Sequence, residues 1–216
     1  MRLPRGFILF AALAAILAIA FALDRPIARL AASTSAGLVD IFRIVTWFGQ
    51  GGVVLIPDAL ILLALLWLRP RLPSLAAPIR RSIQGATVLF AAVAAAGLAN
   101  DGLKLIFARG RPKLWLHGDP TGFFMAGHGA DYQSFPSGHT ATSVAAAIVL
   151  VRLFPRWRVA FIASALLIAL SRIVLNAHYA SDVAAGAMVG ATMALSIFTL
   201  FQRRGWAPAE ASRPAG

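Results

Sequence analysis

The chain has 216 residues, of which 59% are hydrophobic and only 13% are charged, and its mean hydropathy is +0.77. These values exclude an ordinary soluble globule and indicate an integral membrane protein, because several apolar runs approach or exceed the length of a membrane span. The formal net charge of +12 comes from short basic clusters between apolar runs, so nucleic acid is not an expected partner. The absence of cysteine excludes disulfides and thiolate metal sites.

Six apolar segments, taken in chain order, predict an all-α bundle of six transmembrane helices. They cover residues 7–23, 53–68, 79–107, 137–154, 159–175 and 182–201. The third is longer than one crossing requires, so we expect it to protrude or to tilt. With a cytoplasmic amino terminus, 12 of the 20 basic residues lie at the inner ends of the spans. This bias predicts that both termini are cytoplasmic.

The segments before the second span admit alternatives. The first apolar run follows Arg2 and Arg5 and ends in small residues, which is compatible with a cleaved signal peptide, although its length favours an uncleaved helix. Residues 25–48 place apolar side chains at near-helical spacing, which predicts a helix lying in the outer interface or packed on the bundle. Residues 49–52, Gly-Gln-Gly-Gly, then indicate a hinge. We expect one domain over residues 1–205 and a disordered cytoplasmic tail over residues 206–216.

Three polar clusters interrupt the apolar pattern of the second half. The first is KLIFARGRP, residues 104–112; the second is PSGH, residues 136–139; the third is SRIVLNAHYASD, residues 171–182. Ionisable groups at the ends of membrane spans indicate function, because burying them unpaired is unfavourable. Counting spans from a cytoplasmic amino terminus places all three clusters on the outer face, where we expect an active site.

The residue types of these clusters predict a phosphate site. Lys104, Arg111 and Arg172 supply three cations, and arginine binds phosphate oxygens in bidentate fashion. Ser137 and Gly138 open a predicted helix, so their amides and the helix dipole favour the same anion. Helix capping alone is the alternative role for Ser137.

Two histidines and an aspartate supply the reactive groups. His178 and Asp182 are four residues apart, so we expect the carboxylate to accept a proton from one ring nitrogen and to leave the other free to attack. His139 is a candidate to protonate the leaving oxygen. Each group alone also has a structural explanation, and Arg109, Arg111 and Lys113 are equally compatible with lipid headgroup binding.

The clusters together resemble the type 2 phosphatidic acid phosphatase (PAP2) superfamily. Its signature is Lys, six residues, Arg-Pro; then Pro-Ser-Gly-His; then Ser-Arg, five residues, His, three residues, Asp. The chain matches at every signature position, namely Lys104, Arg111, Pro112, Pro136, Ser137, Gly138, His139, Ser171, Arg172, His178 and Asp182. The resemblance implies that His178 is a nucleophile forming a phosphohistidine, that Asp182 orients it and that His139 is the acid. It also implies that Lys104, Arg111, Ser137, Gly138 and Arg172 bind the phosphate, without a metal or cofactor.

The resemblance implies a lipid phosphatase of a bacterial inner membrane. Undecaprenyl diphosphate is the favoured substrate, because the site is expected on the outer face and because removing phosphate from this lipid is a common task among bacterial relatives. Lipid A 1-phosphate, phosphatidylglycerophosphate, phosphatidate and phosphotransfer to another lipid are alternatives.

Soluble vanadium haloperoxidases share the signature but lack six apolar spans. A non-enzymatic anion transporter is disfavoured because the spans carry few deep polar residues, and a metal site of His139, His178 and Asp182 is disfavoured by the three nearby cations.

Some residues lie outside the signature. The aromatic loop over residues 113–135, which carries His117 and His128, is predicted to form a lid at the interface or to pack over the helix ends. Asp101 is spaced for an ion pair with Lys104. Asp58 is expected to form a structural ion pair.

Overall fold

The computed structural model describes residues 5–119, 122–124 and 129–206, and the tail predicted to be disordered lies outside this part except for Trp206. The described residues form nine α-helices and one two-stranded antiparallel ribbon. The helices are α1 (Arg5–Ala22), α2 (Asp24–Ala32), α3 (Ala36–Trp47), α4 (Gly51–Leu68), α5 (Ala76–Ile106), α6 (Pro112–Leu116), α7 (Gly138–Leu153), α8 (Arg158–Val174) and α9 (Ala180–Arg203). The ribbon pairs β1 (Ala108–Arg109) with β2 (Phe123–Phe124).

All six predicted apolar segments are helical, as α1, α4, α5, α7, α8 and α9. Four stretches are long and apolar enough to cross a membrane, namely Ala36–Leu68, Pro73–Ile106, Pro155–Val174 and Ala180–Arg203, whereas α7 is shorter. Six spans therefore remain a prediction. Helix α5 has 31 residues and measures about 47 Å at 1.5 Å per residue, which exceeds the ~30 Å hydrocarbon core as expected.

The core lies where α5, α7 and α9 meet. Its fully buried residues are mostly small and apolar, which lets the helices approach closely; they are Val88, Ala92, Val93 and Ala96 of α5, Ala145 and Val149 of α7, and Ala194 of α9. Two glycines of α9 set the closest approach. A Cβ at Gly186 would overlap the carbonyl oxygen of Ser137, and one at Gly190 would overlap that of Ala141. The start of α7 is thus pressed against the start of α9.

The predicted single helix over residues 25–48 is wrong, because the structure has two helices there. Helix α2 ends at Ala32 and α3 begins at Ala36, with Ser33, Thr34 and Ser35 between them. Hydroxyl side chains compete for backbone hydrogen bonds, and the Ser33 Oγ donates to the carbonyl of Leu30 at 2.8 Å. The break lets α2 and α3 contact α8 separately. The predicted hinge is a turn over residues 48–50, and α4 begins at Gly51.

Candidate active site

His178 lies in the turn between α8 and α9 and is only 3% exposed. Its Nδ1 is 2.6 Å from the backbone carbonyl oxygen of Ser134. Because a carbonyl oxygen can only accept, this bond places the ring hydrogen on Nδ1 and leaves the lone pair on Nε2. The prediction that Asp182 accepts this hydrogen is wrong, because its nearest oxygen is 3.8 Å from Nδ1.

Asp182 is buried and uses both carboxylate oxygens elsewhere. Oδ1 accepts from Arg109 at 2.5 Å, while Oδ2 accepts from the Ser134 hydroxyl at 2.5 Å and from the Tyr179 amide at 2.8 Å. The amide contact turns the carboxylate back over the first turn of α9, as in a helix-capping interaction, and away from the ring. Asp182 is therefore linked to His178 through Ser134, whose hydroxyl meets the carboxylate and whose carbonyl meets the ring.

Arg109 lies between two buried carboxylates. Its Nη1 donates to Asp182, and its Nη2 donates to Asp24 at 2.7 Å. Asp24 also accepts from the amide of Ser181 at 2.9 Å and from its hydroxyl. Burial opposes the charge of Arg109, but the carboxylates of Asp182 and Asp24 more than offset this effect and raise the pKa of the guanidinium. Arg109 is thus part of the buried network, and the headgroup role considered for it is wrong.

The charges of the three predicted phosphate-binding cations act on His178. Burial of His178, together with the positive charges of Arg172, Arg111 and Lys104, lowers the pKa of its imidazole well below the ordinary value. The Nζ of Lys104 also lies close to Gly138, 3.4 Å from where a Cβ would stand. Residues from three separate clusters of the sequence therefore converge on one place.

Two of these cations have unsatisfied donors. The Nε of Arg111 and the Nε of Arg172 are buried and have no hydrogen-bond partner within the described part of the chain. A buried N–H without an acceptor is unfavourable, and an anion oxygen would supply the missing acceptor for each group. Arg172 is held from its other side, since its Nη1 donates to the hydroxyl of Thr46 on α3 at 2.5 Å.

Helix α7 presents its amino terminus at the same place. Ser137 is the N-cap residue, yet its side chain makes no capping hydrogen bond. Its hydroxyl oxygen instead accepts from Thr140 Oγ1 at 3.0 Å, so its own hydrogen remains available to an anion. The amide of Ser137 donates to the carbonyl of Asp182 at 3.0 Å, which fixes α7 against α9. The first amides of α7 are oriented for anion binding by the helix geometry.

His139 lines a cavity of about 510 Å³ between α4, α5 and α7, together with Lys104 and Gly138. Its ring packs against Gly49, where a Cβ would stand 3.0 Å from its Cδ2. The rest of the lining is largely apolar, including Leu55 and Leu98. The cavity therefore joins a histidine and a lysine at one end to an apolar surface.

Asn100 is a further site residue that sequence reasoning missed. It is fully buried, and its Nδ2 donates to the carbonyl of Pro136 at 3.3 Å. It holds the turn that leads into Ser137, one helical turn before Lys104. An amide side chain deep in an apolar helix was the available signal.

The disfavoured metal-site alternative involved His139, His178 and Asp182. No group of three metal-ligating histidine or acidic side chains occurs among the described residues. Both oxygens of Asp182 already accept from Arg109, Ser134 and Tyr179. The donor set thus fits an anion rather than a cation.

The residues outside the signature have mixed outcomes. Lys104 and Asp101 form the expected ion pair at 3.6 Å. Asp58 is buried but forms no ion pair with a described residue, and its Oδ2 has no hydrogen-bond partner among them, so that prediction is wrong. In the 113–135 loop, Lys113 pairs with Asp131 at 2.6 Å and Phe123 packs edge-on against Phe135. His117 is exposed, whereas His128 and the rest of residues 120–121 and 125–128 lie outside the described residues, and the lid remains a prediction.

Two curated proteins are similar to the chain. Lipid A 1-phosphatase of Rhizobium johnstonii is 41% identical over 121 residues, which are 54% of this chain and 48% of that protein. Lipid A 1-phosphatase of Rhizobium etli is 40% identical over 121 residues, which are 54% of this chain and 50% of that protein. The matched stretch therefore spans only about half the length of these curated relatives.

Two crystal structures share the fold. LpxE of Aquifex aeolicus superposes with a TM-score of 0.61 at 24% identity, over 82% of this chain and 96% of that one. The transmembrane PAP2-type phosphatidylglycerolphosphate phosphatase of Bacillus subtilis superposes with a TM-score of 0.61 at 18% identity, over 95% and 96%. This fold and the four long apolar helices make the chain a multi-pass integral membrane protein.

The family model of the PAP2 superfamily matches residues 85–206, which is more than half of the chain. The match includes all three clusters that converge around His178. The resemblance read from the signature is thereby confirmed, and the chain belongs to the PAP2 superfamily.

Proposed function

We propose that the chain is a membrane lipid phosphatase that removes the 1-phosphate of lipid A. The observation that carries the phosphatase assignment is His178, whose Nδ1 is bound to the Ser134 carbonyl, which leaves Nε2 free, and whose imidazole is exposed to the charges of three cations. The similarity to two lipid A 1-phosphatases supports this substrate over undecaprenyl diphosphate, the substrate favoured by sequence reasoning.

The proposed reaction has two displacements. Nε2 of His178 attacks phosphorus, and the bond from phosphorus to the lipid oxygen breaks. His139 donates a proton to that oxygen, so the lipid leaves as a neutral alcohol. Water, deprotonated by His139, then attacks the phosphohistidine, releases inorganic phosphate and restores His178. No atom of this scheme requires a metal ion.

The cations and amides stabilise charge during both steps. Arg111, Arg172 and Lys104 offset the negative charge of the phosphoryl oxygens, with the Ser137 hydroxyl and the Gly138 amide. The buried Nε atoms of Arg111 and Arg172 would each gain an acceptor. The apolar cavity beside His139 suits a lipid substrate better than a soluble phosphate ester. We further propose that the site faces the periplasm and that both termini are cytoplasmic.

The test is phosphate release by the detergent-purified protein with a chelator present. The substrates are lipid A, undecaprenyl diphosphate, phosphatidylglycerophosphate and phosphatidate. We expect the fastest release from lipid A and release at background level by His178→Ala. The matched control is His117→Ala, which changes an exposed histidine and retains full activity.

Other outcomes separate the alternatives. A preference for undecaprenyl diphosphate or a glycerophospholipid would replace lipid A as the substrate and keep the reaction. Consumption of the lipid phosphate without free phosphate, and with label appearing in a second lipid, would identify a phosphotransferase. A folded wild-type protein that binds the lipids and consumes none of them would refute the enzyme assignment in favour of an anion-binding protein.

A further inference from the structure

Two exposed arginines of α2 lie over one aromatic ring. The guanidinium carbon of Arg25 is 5.6 Å from the centroid of the Trp115 ring, and that of Arg29 is 5.1 Å from it. Arginine is attracted to the face of an indole. Two guanidinium groups beside one ring nevertheless repel each other, so an anion that contacts both would stabilise the arrangement.

Ion-pair partners distinguish these two arginines from comparable residues. Arg43 and Lys113 are also exposed near the site end of the bundle, and each pairs with a carboxylate, Asp40 at 2.8 Å and Asp131 at 2.6 Å. Arg25 and Arg29 form no ion pair with any described carboxylate. Asp24, the acid next to Arg25 in the chain, is already bound to Arg109 and Ser181.

The position of this pair relates it to the phosphate site. Trp115 belongs to α6, one helical turn after Arg111, so their Cα atoms are separated by about 6 Å along the helix axis. Helix α2 begins at Asp24, which is part of the buried network beneath His178. Trp115 is therefore within one helical turn of the residue that is proposed to hold the scissile phosphate.

We propose that Arg25 and Arg29, supported by Trp115, form a second anion site for a phosphate on the distal part of the substrate headgroup. Each guanidinium donates to phosphate oxygens, and the indole ring holds the pair in place. This inference rests on the proposed function, because the scissile phosphate must occupy the first site. It selects lipids whose sugar headgroup carries two separated phosphates over lipids with one.

The experiment measures binding in the His178→Ala background, so turnover does not affect it. The ligands are lipid A with phosphates at both ends of its sugar headgroup and the same lipid with the 1-phosphate alone, in neutral detergent. The test variant is Arg25→Gln/Arg29→Gln, and the matched control is Arg43→Gln. We expect the test variant to lose about tenfold in affinity for the doubly phosphorylated lipid and nothing for the singly phosphorylated lipid.

Three results would overturn the assignment. The first is equal affinity of the test variant and the Arg43→Gln control for both lipids. The second is an equal loss for both lipids, which would mean that the pair does not recognise the second phosphate. The third is a loss of binding to added phosphatidylglycerol with no change for lipid A, which would identify a neighbouring lipid as the source of the phosphate. A wild-type protein that shows the expected binding but releases no phosphate would refute the proposed function alone.

Discussion

His178 and Ser134 are joined through the backbone, with the ring Nδ1 2.6 Å from the carbonyl oxygen. A backbone carbonyl cannot be removed by changing a side chain and has no charge to titrate. The orientation of the proposed nucleophile is therefore fixed by the chain path of residues 129–137, which leads into α7. The carboxylate of Asp182 does not hydrogen-bond to the ring. It accepts a hydrogen bond from the hydroxyl of the same Ser134.

The protonation state of His178 gives the first prediction. Burial and the charges of Arg172, Arg111 and Lys104 lower the pKa of this imidazole, so the neutral form persists as the pH falls through 6.5, the ordinary value for histidine. We expect the ¹⁵N signals of His178 to remain those of a neutral ring between pH 7.5 and 6. A midpoint near 6.5 for His178 would contradict the prediction.

The ion pair between Asp24 and Arg109 gives the second prediction. Asp24→Asn removes a buried charge from the pair and leaves Arg109 with one carboxylate. We expect a loss of about 3 kcal/mol in stability, the low end of the cost of breaking a buried ion pair because Arg109 keeps Asp182, together with a lower kcat. Thermal unfolding in detergent and phosphate release measure the two effects. Asp40→Asn, at an exposed pair, should change neither, and equal behaviour of the two variants would show that the Asp24 link is dispensable.

The contact between α7 and α9 gives the third. In Gly186→Ala the new methyl group meets the Ser137 carbonyl, which displaces the start of α7 and costs about 1–3 kcal/mol. We expect a lower melting temperature and lower phosphate release per folded molecule. Gly190→Ala meets the Ala141 carbonyl one turn further from the site, so it should lower stability with a smaller effect on activity. Gly37→Ala, with open space around it, is the control and should remain stable and active.

The geometry of Arg172 gives the fourth. Arg172→Lys keeps the positive charge but loses the planar guanidinium group, which donates to the Thr46 hydroxyl and supplies the buried Nε. We expect kcat/KM to fall about 100-fold, the size typical of losing one preorganised donor to a transition-state oxyanion. Arg43→Lys should retain full activity. A lysine variant with wild-type kinetics would mean that charge alone suffices at this position.

The signature residues could be predicted because they lie in short local patterns at the ends of apolar runs. Lys104, Arg111, His139 and His178 each lie within or beside the first or last turn of a helix, and helix counting predicts that they share one end of the bundle. The long α5 and the turn at residues 48–50 were predicted from the same local signals. Local patterns therefore suffice where a residue acts beside its own helix end.

Contacts between distant parts of the chain were not predicted. The pairing of Arg109 with Asp24 produces no periodic pattern in the sequence, because the two residues meet only after α2 packs near the start of α9. The i, i+4 spacing of His178 and Asp182 was misleading, because capping of α9 turns the carboxylate away. The scarcity of acids was the usable signal. The chain has only 8 Asp and Glu residues, so an aspartate directly after an apolar run predicts a buried cationic partner.

The Asp24 contact also shows how the residues before the family match relate to the matched region. The family match begins at residue 85 and contains every group assigned to the reaction, yet Arg109 and Arg172 are held by Asp24 and Thr46, which precede it. The amino-terminal third is therefore a structural component of the proposed catalytic unit and not an appendage. A chimera that grafts residues 85–206 onto a foreign amino-terminal half would inherit the reactive groups without their supports. It would regain them only if the new scaffold supplied an acid and a hydroxyl at these two positions.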